Sequence, residues 1–169
     1  ICDPHHHLWD RPDSRYMLDE LLEDIGGGHR ITETVFVECS SMYRKEGPEN
    51  TRPVGETEFV NGIAAQSASG NYGDTKVAAG IVGYADLTLG DRVTEVLESH
   101  IETSRNRFRG IRQSSCWDES PDIGSYKNPP RGLLGDPKFR MGFSSLEKLG
   151  LSFDAWLFHT QLLELVDLA

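Results

Sequence analysis

Short β-branched or apolar runs recur along the chain at about residues 1–9, 33–39, 76–84, 107–113 and 151–158, each ended by polar, Gly- or Pro-containing sequence. Between them lie helical patterns, at Leu18 to Ile25, Glu56 to Ala68 and Asp91 to Asn106, the last with Val93, Val96, Leu97 and Ile101 as an apolar stripe. The spacing fits one strand plus one helix per unit. Crossovers of that length predict parallel strands, because antiparallel neighbours need only a tight hairpin.

An α/β fold follows, and two versions satisfy it: an open doubly wound sheet and a closed (β/α)8 barrel. The phosphate fingerprint of the first is missing, since Gly26-Gly27-Gly28 follows a helix rather than a strand and reads as the turn that ends it. Two long irregular stretches, Ser40 to Gly55 and Ser114 to Gly142, follow predicted strands. The second holds Pro121, Pro129, Pro130 and Pro137. In α/β folds the ligand site lies beyond the carboxyl ends of the strands, where long loops serve as lids or binding loops.

The 169 residues suffice for one domain with its own core. With 37% hydrophobic and 26% charged residues the composition is that of an ordinary globular chain, and no apolar run approaches the roughly 18 residues of a membrane span. The balance of 17 basic against 27 acidic residues, a net charge of −10, repels a nucleic-acid backbone, so the expected partner is a small-molecule substrate. Cys2, Cys39 and Cys116 are odd in number and widely spaced, which argues against a disulfide framework or a zinc ribbon. They read as reduced thiols in a cytoplasmic protein. The chain lacks an initiator Met and ends within a helical pattern from Gln161 to Ala169, from which a segment of a longer natural chain is expected.

The chemistry concentrates in the first run. In an extended strand Asp3, His5 and His7 share one face while His6 takes the other. That spacing presents two imidazoles about 7 Å apart along the strand, and a divalent ion with Zn–N bonds of about 2 Å can bridge such neighbours. A catalytic centre needs further ligands from other strands and one open position. The apolar flanks of His5-His6-His7 argue against an expression-tag remnant.

Asp-x-His-x-His followed by Leu8-Trp9-Asp10 resembles the amidohydrolase-2 family of the amidohydrolase superfamily, in particular its lactonase-like branch. Val35 to Cys39, Gly80 to Leu87, Phe108 to Arg112 and Gly150 to Trp156 resemble its next four strands, so the likeness covers nearly the whole chain. It implies a (β/α)8 TIM barrel of which about the first five β/α units lie in residues 1–169, as the N-terminal part of a single domain. The resemblance also places a later histidine and a proton-shuttling aspartate, on strands six and eight, after Ala169.

Carried over residue by residue, His5 and His7 are the first-strand metal ligands and catalytic residues. His159, after the fifth strand, is a candidate third ligand, with a capping or packing role as its alternative. Glu38, near the end of the second strand, is a catalytic candidate or a rim salt bridge. Arg112 is placed to grip a substrate carboxylate in bidentate fashion, or to form an ion pair with Glu38. Tyr43 is a substrate contact, and Trp156 a pocket wall or a core residue.

The implied function is hydrolysis of a lactone or related cyclic ester or amide with a divalent metal, zinc first. A metal-free site is the alternative, because members of this branch differ in that requirement. Non-oxidative decarboxylation of an aromatic or enol acid and a non-catalytic binding role are the rival functions. A homo-oligomer stays open.

Overall fold

The computed structural model describes residues 1–104 and 106–169. Five strands form one parallel sheet: β1 (Cys2–His6), β4 (Glu33–Val37), β5 (Lys76–Gly83), β6 (Phe108–Arg112) and β7 (Ser152–Asp154). Their order in the sheet is their order in the chain, β1-β4-β5-β6-β7. A doubly wound sheet reverses its order at a switch point. This one never does, so the chain winds in one direction as half of a (β/α)8 barrel.

Helices α1 (Leu18–Ile25), α2 (Val54–Ser67), α3 (Val93–Ser104) and α4 (Pro137–Leu149) fill the crossovers, and α5 (Leu162–Leu168) follows β7. On α3, Val93, Val96 and Leu97 are buried and Ile101 packs at the core's edge, as the stripe predicts. Register follows the side-chain alternation: Asp3 sits opposite Thr34, Val82 opposite Gly110, and Arg112 opposite Asp154. Gly110 is required where it stands, because a Cβ there would lie 2.2 Å from Ser152 Oγ and 2.3 Å from its carbonyl oxygen. No helix among the described residues is long and apolar enough to cross a membrane.

Two elements depart from the sequence reading. A short antiparallel hairpin, β2 (Trp9–Arg11) with β3 (Ser14–Tyr16), turns through Pro12-Asp13 directly after the histidines. Helix α4 begins inside the stretch taken as irregular. Its signature was present: Asp136 caps it by accepting from the Lys138 and Phe139 amides, Pro137 occupies its first turn, and Gly150 ends it at φ 65.

Candidate active site at the carboxyl ends of the strands

The strand ends bring Glu38, Arg112, His5 and His7 together. Strand alternation sends His6 inward, where it is buried and its Nε2 lies 2.9 Å from the Thr34 hydroxyl. Thr34 Oγ1 also accepts from the Ala78 amide, so the hydroxyl ties His6 to the neighbouring strand. Burial pushes the His6 pKa down to about 4, which keeps the ring neutral.

His5 and His7 face the mouth with their Nε2 atoms 3.2 Å apart. His7 Nδ1 is 2.7 Å from the Val37 carbonyl, which can only accept. The proton of neutral His7 is therefore on Nδ1, and its Nε2 carries a lone pair aimed at His5. Desolvation holds the His7 pKa below its ordinary value, aided by the nearby Arg112 charge, so this tautomer persists.

This geometry fits a zinc ion in part. Two nitrogens 3.2 Å apart match two donors sharing one tetrahedral ion at bonds of about 2.0–2.1 Å, and a ring N–H held by a backbone carbonyl is the usual second contact of a ligating histidine. The fit stops at two ligands. Among the described residues no group of three or more His, Cys, Asp or Glu is placed to hold a metal. His159, expected as a third ligand, stands exposed in a 3-10 turn, His159–Gln161, and is not gathered with His5 and His7. The chain leaves the sheet after Asp154 and turns away before reaching it.

Glu38 follows the last residue of β4 and is fully buried. Its Oε1 accepts from Arg112 Nε at 3.0 Å, and its Oε2 lies 3.3 Å from Lys127 Nζ and 3.5 Å from the Tyr126 hydroxyl. Arg112 closes a second bond from its guanidinium to the Glu38 carbonyl at 2.6 Å. The ion pair read as one option for Arg112 is thus formed, yet it consumes only part of the guanidinium: Nη1 remains, 3.5 Å from His5 Nε2.

Trp156 is not a core residue. At 37% exposed, it lays its ring against the Arg112 guanidinium at 4.5 Å while Tyr126 stacks on it at 5.1 Å. The strand bearing it ends at Asp154, so its side chain projects over the mouth. Asp154 lies opposite Arg112 in register, half-buried, and burial raises its carboxyl pKa while Arg112 and His5 oppose that rise.

The two long loops meet above these groups. The Ser40 and Tyr126 hydroxyls hydrogen-bond at 2.5 Å, and Lys127 Nζ reaches the Tyr43 hydroxyl at 3.4 Å. Burial raises the pKa of Tyr43 and takes that of Tyr126 to about 12, so both phenols are neutral. Beneath them Glu56, at the start of α2, accepts from the Cys39 and Ser41 amides at 3.0 and 2.7 Å and pins the loop after β4. Tyr126, Lys127 and Glu56 escaped the sequence reading. A long Pro- and Gly-rich loop after a strand signals a lid, but nothing in the local pattern says which of its residues turns inward.

Fold and site together define a half-barrel that carries a two-histidine, arginine-bearing mouth at the carboxyl ends of its strands. Among known proteins, the chain has the fold of about half of an amidohydrolase from Burkholderia multivorans. The crystal form of that protein with bound HEPES matches 99% of this chain and 52% of its own, at 18% identity and a TM-score of 0.61. The form with bound zinc matches 97% and 51%, at 19% identity and the same TM-score. An uncharacterized protein of Sinorhizobium fredii, y4mH, is 31% identical over 183 residues, which span all of this chain and 57% of that protein. The chain thus spans little more than half the length of the proteins it matches. No protein-family profile matches the sequence.

Proposed function

We propose that residues 1–169 supply the paired first-strand metal ligands and the substrate-gripping arginine of an amidohydrolase-superfamily enzyme. Its reaction is hydrolysis of a lactone or related cyclic ester or amide. The convergence of His5 and His7 Nε2 at 3.2 Å beside Arg112 carries this reading. The zinc bound in one crystal form of the Burkholderia amidohydrolase supports a divalent ion at the pair.

His5 and His7 hold the ion, and His7 is oriented for that task by the Val37 carbonyl. The chemistry contributed by such an ion is Lewis acidity toward a carbonyl. Arg112 binds the substrate: Glu38 fixes its Nε and backbone-facing nitrogen, leaving Nη1 to donate to an ester carbonyl or a carboxylate. Glu38 acts by holding Arg112 rather than by taking a proton, since both its oxygens are committed to cations. Trp156 provides a flat wall over the guanidinium, and Tyr43, its hydroxyl 3.4 Å from Lys127 Nζ, bounds a cavity on the far side of that lysine.

The test pairs metal analysis with turnover in the full natural chain. Stoichiometric zinc and acid release from a lactone panel are expected, with both lost in His5→Ala. Unchanged turnover without metal in that variant overturns the metal-centred reading. Release of CO2 in place of a titratable acid replaces hydrolysis with decarboxylation.

A further inference from the structure

We propose that Lys127 is a specificity-determining residue, a fixed partition between two cavities that adjoin the mouth through its contact with Glu38, and that it limits how long a substrate side chain can be. The proposal rests on the reading of the mouth as a substrate site and adds the element that sets substrate size.

One cavity, of ≈ 560 Å³, is bounded by Tyr43, Asn50, Arg52, Tyr84, Asp86 and Lys127. The other, of ≈ 260 Å³, is bounded by Tyr84, Asp86, Gln113, Asn128, Pro129 and Lys127. Small-molecule sites run from about 300 to 1,000 Å³, so the larger cavity suffices alone and the smaller does not. Tyr84, Asp86 and Lys127 are the residues common to both. Tyr84 directly follows β5, and Asp86 is spent on the Thr88 amide and hydroxyl and the Gln113 amide. These two are fixed by the barrel. Lys127 alone of the three stands on the long loop.

A lysine on such a loop is ordinarily mobile and would divide nothing. This one is immobilised. Its ammonium sits 3.3 Å from Glu38 Oε2, 3.4 Å from the Tyr43 hydroxyl, and 3.6 and 5.1 Å from the ring centres of Tyr84 and Tyr126. Its backbone has φ 62 and that of Asn128 has φ 42, left-handed conformations that cost a non-glycine residue free energy and persist only where surrounding contacts fix them. Pro129 and Pro130 follow and stiffen the segment. Removing the side chain joins the two cavities, while Glu38 keeps its bonds to Arg112.

The experiment compares the wild-type full natural chain with Lys127→Ala and Lys127→Met on γ-lactones whose side chains run from methyl to octyl. In parallel, calorimetry follows binding of alkanoates from butyrate to decanoate. In Lys127→Ala the kcat/KM ratio of octyl to methyl lactone is expected to rise by about tenfold or more, a few methylenes' worth of pocket discrimination. Decanoate should gain affinity relative to butyrate. Lys127→Met fills the same space without the charge and should keep the wild-type ranking. An unchanged ranking in the alanine variant, or an equal shift in the methionine variant, overturns the partition. If no lactone is turned over, the hydrolase reading fails, and the calorimetry still decides the partition.

Discussion

Arg112 grips Glu38 across the sheet at two points, side chain to side chain at 3.0 Å and guanidinium to main-chain carbonyl at 2.6 Å. Both side chains are almost wholly buried, so removing Glu38 leaves Arg112 desolvated and unpaired, and removing Arg112 leaves buried Glu38 with Lys127 at 3.3 Å as its remaining cation. Arg112→Met and Glu38→Gln should each cost about 3–5 kcal/mol. The double variant, with no uncompensated charge of that pair, should cost clearly less than the sum. A double-mutant cycle by urea unfolding checks this, and strict additivity would show that the two do not act as a pair.

Gly110→Ala is expected to be more damaging than its size suggests. The added methyl would fall within 2.3 Å of the Ser152 carbonyl, so β7 must move away from β6. That shift displaces Asp154 and Trp156 as well. A stability loss of about 1–3 kcal/mol, in the range of overpacked cores, should appear in thermal melts together with a change in Trp fluorescence. A melt unchanged from wild type would show that the strands are further apart than described.

The pH dependence of stability holds two opposed contributions. His100 is buried, with Nε2 3.1 Å from the Tyr84 carbonyl and Nδ1 2.8 Å from the Thr57 hydroxyl, and desolvation lowers its pKa from 6.5 to about 4. The folded state therefore binds fewer protons than the unfolded chain between those values, and stability falls as the pH drops from 6.5 to 4. Glu56 runs the other way: burial raises it from 4.5 to about 7, so its contribution is complete below pH 4.5 and is lost as the pH rises toward 7. Glu56 offsets one histidine between pH 4.5 and 6.5, and buried His6, also lowered to about 4, leaves stability rising with pH there. Glu56→Gln should remove that offset and steepen the climb of stability with pH across the window. Urea midpoints at half-unit pH steps would reveal the slope, and a flat profile in the variant would contradict it.

Asp136→Ala should cost about 0.5–2 kcal/mol, because two amides of the first turn of α4 lose their acceptor. Asp136→Asn should recover most of that. Equal losses in both would point to charge rather than capping.

Much of this architecture is written in the local pattern, and the places where the pattern fails share a cause. All five parallel strands and the split of His5 and His7 from His6 follow from a two-residue period that any half-buried strand must obey. Arg112 and Glu38 were legible for the same reason. His159 was misplaced because β7 is only three residues long, and alternation says nothing once the strand has ended. Trp156 lies beyond the same end, which is why alternation could not choose between a pocket wall and a core position for it, and it hangs over the mouth. Helix α4 was hidden by proline density, although Asp136-Pro137 and Gly150 mark its two ends. Lys127 is set by contacts with Glu38, Tyr43 and Tyr84, more than forty positions away on two other segments, and no local window of sequence contains them.

The strand carrying His5 and His7 is an edge strand. Among the described residues β1 has one neighbour, β4, and the Val37 carbonyl that orients His7 comes from that same side. Among the described residues no strand pairs with the opposite margin of β1. The pair is thus a pincer hinged from one flank, and whatever polypeptide lies along the other flank will press on the gap between the two rings. Under the proposed metal role, affinity for an ion at His5 and His7 would depend on that second flank as much as on the histidines themselves.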